Sequence, residues 1–135
     1  ITPDLTPEEA DEWILATNSN DVDRVFLVAL SSSDERIAKV ANATTGFIYA
    51  GAVMGVTGAR TSISDAIEGL VAKVRRHSDL PVAVGLGVST PEQAHEIAQY
   101  ADGVIVGSAF VTAIKKDGAA GAKALAQALS KGLAR

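Results

Sequence analysis

LPVAVGLGVSTPEQA, from Leu80 to Ala94, holds the reading that decides the fold. Pro81-Val82-Ala83-Val84 is a short apolar run of strand length. Gly85-Leu86-Gly87 follows it directly. Thr90-Pro91-Glu92-Gln93 then spells a helix start: Thr90 caps, Pro91 sits where its missing N–H costs nothing, and Gln93 completes a capping box. The helix it opens carries Ala94, Ile97 and Ala98 on one face. Strand, glycine loop and capped helix form one βα unit.

The same grammar extends in both directions. Upstream, Ile63, Ala66, Ile67, Leu70, Val71 and Val74 recur at helical spacing and predict the most amphipathic helix of the chain. Phe47-Ile48-Tyr49-Ala50 reads as the strand before it, and the small-residue stretch Gly51 to Arg60 as a loop. Ser31-Ser32-Ser33-Asp34 opens a helix with Ile37, Ala38 and Ala41 inward. Val25-Phe26-Leu27-Val28 reads as a strand buried on both faces. Thr6-Pro7-Glu8-Glu9 predicts another capping box, with a helix to about Thr17 burying Ala10, Trp13 and Ile14. Downstream, Gly103-Val104-Ile105-Val106 is a fourth strand, a helix follows from Ser108, and Gly118 separates it from an Ala-rich helix ending near Leu133. The alternation implies parallel strands with helical crossovers. Two closures fit: an open doubly wound sheet, or part of a (β/α)8 barrel, which runs to about 250 residues when whole. Residues 1–135 read as a single unit.

Composition excludes several classes. The 135-residue chain is 47% hydrophobic and 21% charged, the balance of a globular core. Twelve Lys and Arg against 16 Asp and Glu leave a net charge of −4, without the basic footprint that nucleic acid requires. There is no Cys, so thiolate metal sites and a Cys nucleophile are excluded, and His77 and His95 have no ligand spacing. No apolar run is long enough for a membrane span, and no signal peptide is evident. A cytoplasmic protein is the expectation.

Chemistry is expected at the carboxyl ends of the strands, where parallel α/β folds place ligands. Gly55-Val56-Thr57-Gly58, Gly85-Leu86-Gly87 and Gly107-Ser108 each follow a strand. Glycine lets backbone N–H groups approach a phosphate, a helix N-terminus adds unpaired donors, and Ser108 adds a hydroxyl. A single such loop is more simply a tight turn; two in succession, the second opening a helix, favour phosphate. Tyr49, near the end of its strand, lines a pocket or fills the core. Asp4 faces a site or enters a helix. Trp13 is expected in helix packing, and His77 and His95 at the surface. No acidic pair of catalytic spacing stands out.

Together PDLTPEEA (Pro3 to Ala10), GVTGAR (Gly55 to Arg60), LPVAVGLGVSTPEQA and ADGVIVGSAFV (Ala101 to Val111) resemble the tryptophan synthase α-subunit family, over essentially the whole chain. The resemblance implies strands five to eight of a (β/α)8 TIM barrel, with the N-terminal half lying outside this sequence. It implies a lyase of tryptophan biosynthesis that cleaves indole-3-glycerol phosphate to indole and glyceraldehyde 3-phosphate by a retro-aldol reaction. Indole then passes to a β subunit, to which pyridoxal phosphate belongs, so no cofactor is expected here.

Carried over residue by residue, Gly58, Gly87, Gly107 and Ser108 match positions that hold the substrate phosphate. Tyr49 and Leu86 match the wall around the indole. Thr57 matches a loop threonine that orients the catalytic aspartate, within a lid spanning Gly51 to Arg60. The family's catalytic glutamate and aspartate, and its loop to the β subunit, lie in the first half of the barrel, so no catalytic acid or base is expected in this chain. Position 86 is Leu where the family often has Phe, which weakens aromatic contact to indole. Ala52 and Val53 stand where some members carry an Arg. A half barrel has two open strand edges, so the chain is expected to bind the N-terminal half or to self-associate. The alternatives are a non-catalytic phosphate-binding or docking module, and another phosphate-binding barrel such as a phosphosugar epimerase or isomerase.

Overall fold

The computed structural model describes residues 1–51 and 60–133. Four strands form one parallel sheet: β1 (Leu27–Ala29), β2 (Ile48–Gly51), β3 (Val82–Gly85) and β4 (Gly103–Val104), in the spatial order β1-β2-β3-β4. Sequential order with helical crossovers is barrel winding. A doubly wound sheet would reverse direction at a switch point, and this sheet does not. The helices are α1 (Asp11–Ser19), α2 (Asp34–Ala43), α3 (Arg60–Val74), α4 (Pro91–Ala98) and α5 (Ser108–Gly132), with a 3-10 turn at Pro7–Glu9.

Strand pleating sorts the side chains into two sets. Phe26, Val28, Ile48, Ala50, Val82 and Val84 are buried against Ile37, Val40, Ile67, Val71 and Ile97 from the helices. Each large side chain buried there stabilises the fold by about 1.5–3 kcal/mol. The opposite face carries Leu27, Tyr49, Ala83 and Gly103 in one continuous register row, and these are only half-buried. The expectation of strands buried on both faces is therefore corrected: one face is helix-covered and the other is partly open. The first ladder also sits further along than the apolar run suggests, at Leu27–Ala29, while Val25 and Phe26 are buried ahead of it. At the last strand the ladder covers Gly103–Val104, and Ile105 adds one bond from its N–H to the Val84 carbonyl at 2.8 Å.

The two TPE segments fold differently. At Thr90 the capping box forms in full, with Thr90 Oγ1 accepting from the Gln93 N–H and Gln93 Oε1 accepting from the Thr90 N–H. At Thr6 it does not. The chain makes a 3-10 turn over Pro7–Glu9, α1 starts only at Asp11, and the Thr6 hydroxyl donates to the Glu9 carboxylate at 2.8 Å. Ala10 and Thr17 are buried and Ile14 is half-buried against the core, but Trp13 is 36% exposed rather than packed. In α3, Ile67, Leu70, Val71 and Val74 are buried as their spacing predicts, but Ala66 is exposed. In α2 the buried set is Ile37, Val40 and Ala41, with Ala38 half-buried.

Gly118 does divide the last helix. Asp117 and Gly118 leave helical geometry, Gly118 at φ 59°, inside the kinked α5. Among the described residues no helix is long and apolar enough to cross a membrane.

Candidate anion site at the strand ends

Gly85 closes β3 and faces Tyr49. A Cβ on Gly85 would collide with the Tyr49 hydroxyl and lie 2.6 Å from its Cε2. The Tyr49 ring therefore occupies the space that Gly85 leaves empty, at the carboxyl end of the half-exposed face. Leu86 is half-buried and packs on the core. Gly87 is exposed at φ +70°, a conformation that disfavours any L side chain, and Val88 then turns back into the core.

The second loop follows the neighbouring strand. Gly107 is the N-cap of α5 and is exposed, with open space where a Cβ would stand. Its carbonyl accepts from the N–H groups of Phe110 at 3.0 Å and Val111 at 3.2 Å. The N–H groups of Ser108 and Ala109 have no intrahelical acceptor, as the first turn of any helix dictates. Ser108 is exposed beside them. Because Val84 pairs with Val104 across β3 and β4, these two loops leave adjacent strands side by side. Ser89 from the first loop and Ser108 from the second line one shallow groove of about 420 Å³, together with Thr112 and Lys116 and the apolar Ala109, Ala113 and Leu125. The geometry offers hydroxyls, helix-terminal N–H groups and one ammonium, a donor set suited to an anion.

Thr57 and Gly58, and residues 52–59 of the lid expected over Gly51 to Arg60, lie outside the described residues. Asp4 is exposed in the turn before Pro7. His95 is exposed, its Nδ1 3.0 Å from the Gly132 carbonyl oxygen at the end of α5. His77 is half-buried rather than a bare surface residue, and its Nε2 lies 3.1 Å from Asp34 Oδ2. Hydrogen bonding from Arg76, then from His77, holds the Asp34 carboxyl below its ordinary value. Glu92, in the first turn of α4, is lowered by its own backbone N–H and then by the Thr90 hydroxyl. Among the described residues no three His, Asp or Glu side chains gather as a metal-holding group.

Sequence reasoning missed Ser89, Thr112 and Lys116. Residues 108, 112 and 116 stand at i, i+4 and i+8, so one face of α5 was legible as hydroxyl, hydroxyl and cation. It also missed why Gly85 is glycine, since that depends on a ring from a neighbouring strand.

Sequential parallel strands with helical crossovers and loop-borne donors at their carboxyl ends define the class: half of a (β/α)8 barrel. The tryptophan synthase alpha chain family profile matches residues 1–133, and the chain belongs to that family. It is 53% identical over 133 residues to the tryptophan synthase alpha chain of Nocardia farcinica, covering 98% of this chain and 50% of the relative. It is 54% identical over 135 residues to that of Mycobacteroides abscessus, covering 100% and 51%. Among solved structures, Mycobacterium tuberculosis tryptophan synthase superposes with a TM-score of 0.86 at 52% identity, over 97% of this chain and 49% of that one. The tryptophan synthase α2β2 complex of Pyrococcus furiosus gives 0.80 at 34% identity, over 96% and 53%. The chain thus spans about half the length of the relatives it matches.

Proposed function

We propose that residues 1–135 form a single unit, strands five to eight of a tryptophan synthase α-chain barrel, and supply its substrate-binding half. Gly58, Gly87, Gly107 and Ser108 hold the phosphate of indole-3-glycerol phosphate through backbone N–H groups and a hydroxyl, and Thr57 orients the catalytic aspartate supplied by the other half. Tyr49 and Leu86 wall the indole. Retro-aldol cleavage needs a general acid and base within reach of the indole ring and the glycerol hydroxyl. Those come from the half of the relatives' barrel that this chain does not match, so the lyase activity belongs to the two halves together. The setting is cytoplasmic amino-acid biosynthesis. The product indole goes to a β subunit, which carries the pyridoxal phosphate.

The observation that carries this reading is the convergence of Ser89 and Ser108 on one groove, beside a glycine at φ +70° and a helix N-terminus. The test is glycerol 3-phosphate binding by backbone amide shifts. Wild type is expected to show shifts at Gly87, Gly107 and Ser108. Ser108→Asp sets a carboxylate against the bound phosphate and is expected to abolish them. Unchanged affinity in Ser108→Asp would place the phosphate elsewhere.

A further inference from the structure

We infer that Gln93 is a positioning residue for the anion site, acting through the turn from Gly87 to Ser89. The inference rests on the phosphate reading above. Gln93 stands at the third position of α4. Its Oε1 accepts from the Thr90 N–H at 3.2 Å, which is the bond a capping box requires. The same oxygen reaches further, to the Ser89 N–H at 2.9 Å and the Ser89 hydroxyl at 3.3 Å. Those two bonds lie beyond the cap, on the side of the glycine loop.

The turn is pinned at two points. Val88 is buried in the core and Ser89 is clamped by Gln93. Gly87 precedes them at φ +70°, with open space where a Cβ would stand. Its N–H lies in the peptide shared with Leu86, which packs on the core, and its φ joins that peptide to the turn that Val88 and Ser89 hold. Ser89 also lines the groove shared with Ser108, so the clamp fixes one wall of the groove as well. Removing the Gln93 oxygen leaves the packing of Leu86 and Val88, on either side of Gly87, to hold the turn.

A merely structural role would be that of a helix cap, and Thr90→Ala isolates it. That variant removes the other half of the capping box while Gln93 keeps its hold on Ser89. The experiment titrates the full 135-residue chain with inorganic phosphate, followed by backbone amide shifts, alongside amide hydrogen exchange. Gln93→Met is expected to weaken phosphate binding roughly tenfold, the loss of about one to two hydrogen bonds' worth of ordering. Its Ser89 and Thr90 amides lose protection while those of β2 and β3 keep theirs. Gln93→Glu retains the acceptors, so protection returns and affinity stays within about threefold of wild type in about 0.15 M salt, where distant charges are screened. Thr90→Ala destabilises α4 but leaves phosphate affinity unchanged. The role is overturned by a Gln93→Met that binds as tightly as wild type, or by a Thr90→Ala that binds as weakly as Gln93→Met. A wild-type chain without any phosphate-dependent shift removes the phosphate reading itself, and this role with it.

Discussion

At the scale of single residues, glycines and one arginine carry most of the information. Gly85 shows that a glycine in a phosphate-type loop can serve packing instead: its absent Cβ is the seat of the Tyr49 ring. Gly85→Ala is expected to cost about 1–3 kcal/mol by overpacking. Tyr49→Leu should recover part of that loss, and urea unfolding of the two single variants and the double variant measures the coupling. Additive effects would mean that the ring does not sit on Gly85. Arg24 is a different lesson. It is 7% exposed, and its guanidinium donates to the Ala43 carbonyl at the end of α2, the Thr17 hydroxyl and the Asn18 amide oxygen. Among the described residues no carboxylate pairs with it; its partners are the C-terminal ends of two helices, where a cation is favoured. Arg24→Met is expected to destabilise the chain by about 2–3 kcal/mol, the value of charged hydrogen bonds lost from a buried place. A change below about 0.5 kcal/mol, the scale of ordinary surface substitutions, would make the arginine dispensable.

At the scale of elements, local chemistry was legible where it decided the outcome alone. The box at Thr90 was readable because its two hydrogen bonds lie within four residues. The similar letters at Thr6, with Glu9 in place of Gln93, do not form the box: the chain tightens into a 3-10 turn, and Glu8 pairs with Arg36 at 2.6 Å and with Lys39 on α2. The buried face of α4 followed its periodicity, as did that of α3 from Ile67 to Val74, with Ala66 exposed and the Ile63 side chain outside those described. Trp13 did not, because burial depends on which neighbour covers a face, and spacing says nothing of that. The glycine loops were legible as candidate anion sites, but the Ser89–Ser108 groove was not, since it needs two strands to be neighbours.

One inter-element contact has a pH signature. Asp34, at the start of α2, pairs with Arg76 at 3.2 Å and with His77 beyond the end of α3. Its folded carboxyl lies below its ordinary value of 3.8. The folded state thus binds the proton more weakly than the unfolded chain, so the contribution is fully present above pH 3.8 and is lost as pH falls through the depressed value. Asp34→Asn is expected to remove that part of the acid limb while leaving the alkaline limb unchanged. Acid titrations of stability with an identical slope in both chains would contradict it. The pair is exposed, so the effect is a small one.

At the scale of the whole molecule, the exposed surface describes what is needed to complete it. Among the described residues the large exposed apolar side chains sit at the two ends of the sheet. Ile1, Trp13, Leu15, Val22 and Leu30 lie on the β1 side, and Val111, Ile114 and Leu133 on α5. Among the described side chains, α2, α3 and α4 present none. In the described sheet β1 and β4 each pair on one side only. The Thr2 N–H bonds to the Val25 carbonyl at 3.2 Å, on the outer side of the β1 segment, where a preceding strand would run. A second copy fits this surface poorly. Each copy brings five helices, and two copies would bring ten to a barrel that seats about eight. Under the proposed function, a complement carrying the first four strands fits better and brings the acid and base that the reaction needs.

The most direct test is therefore indole release from indole-3-glycerol phosphate. The chain would be assayed alone and mixed with a polypeptide comprising the first half of the Nocardia farcinica alpha chain. The account predicts no indole from the chain alone and indole formation from the mixture. Indole released by the chain alone, or a mixture that forms a complex with no turnover, would contradict it.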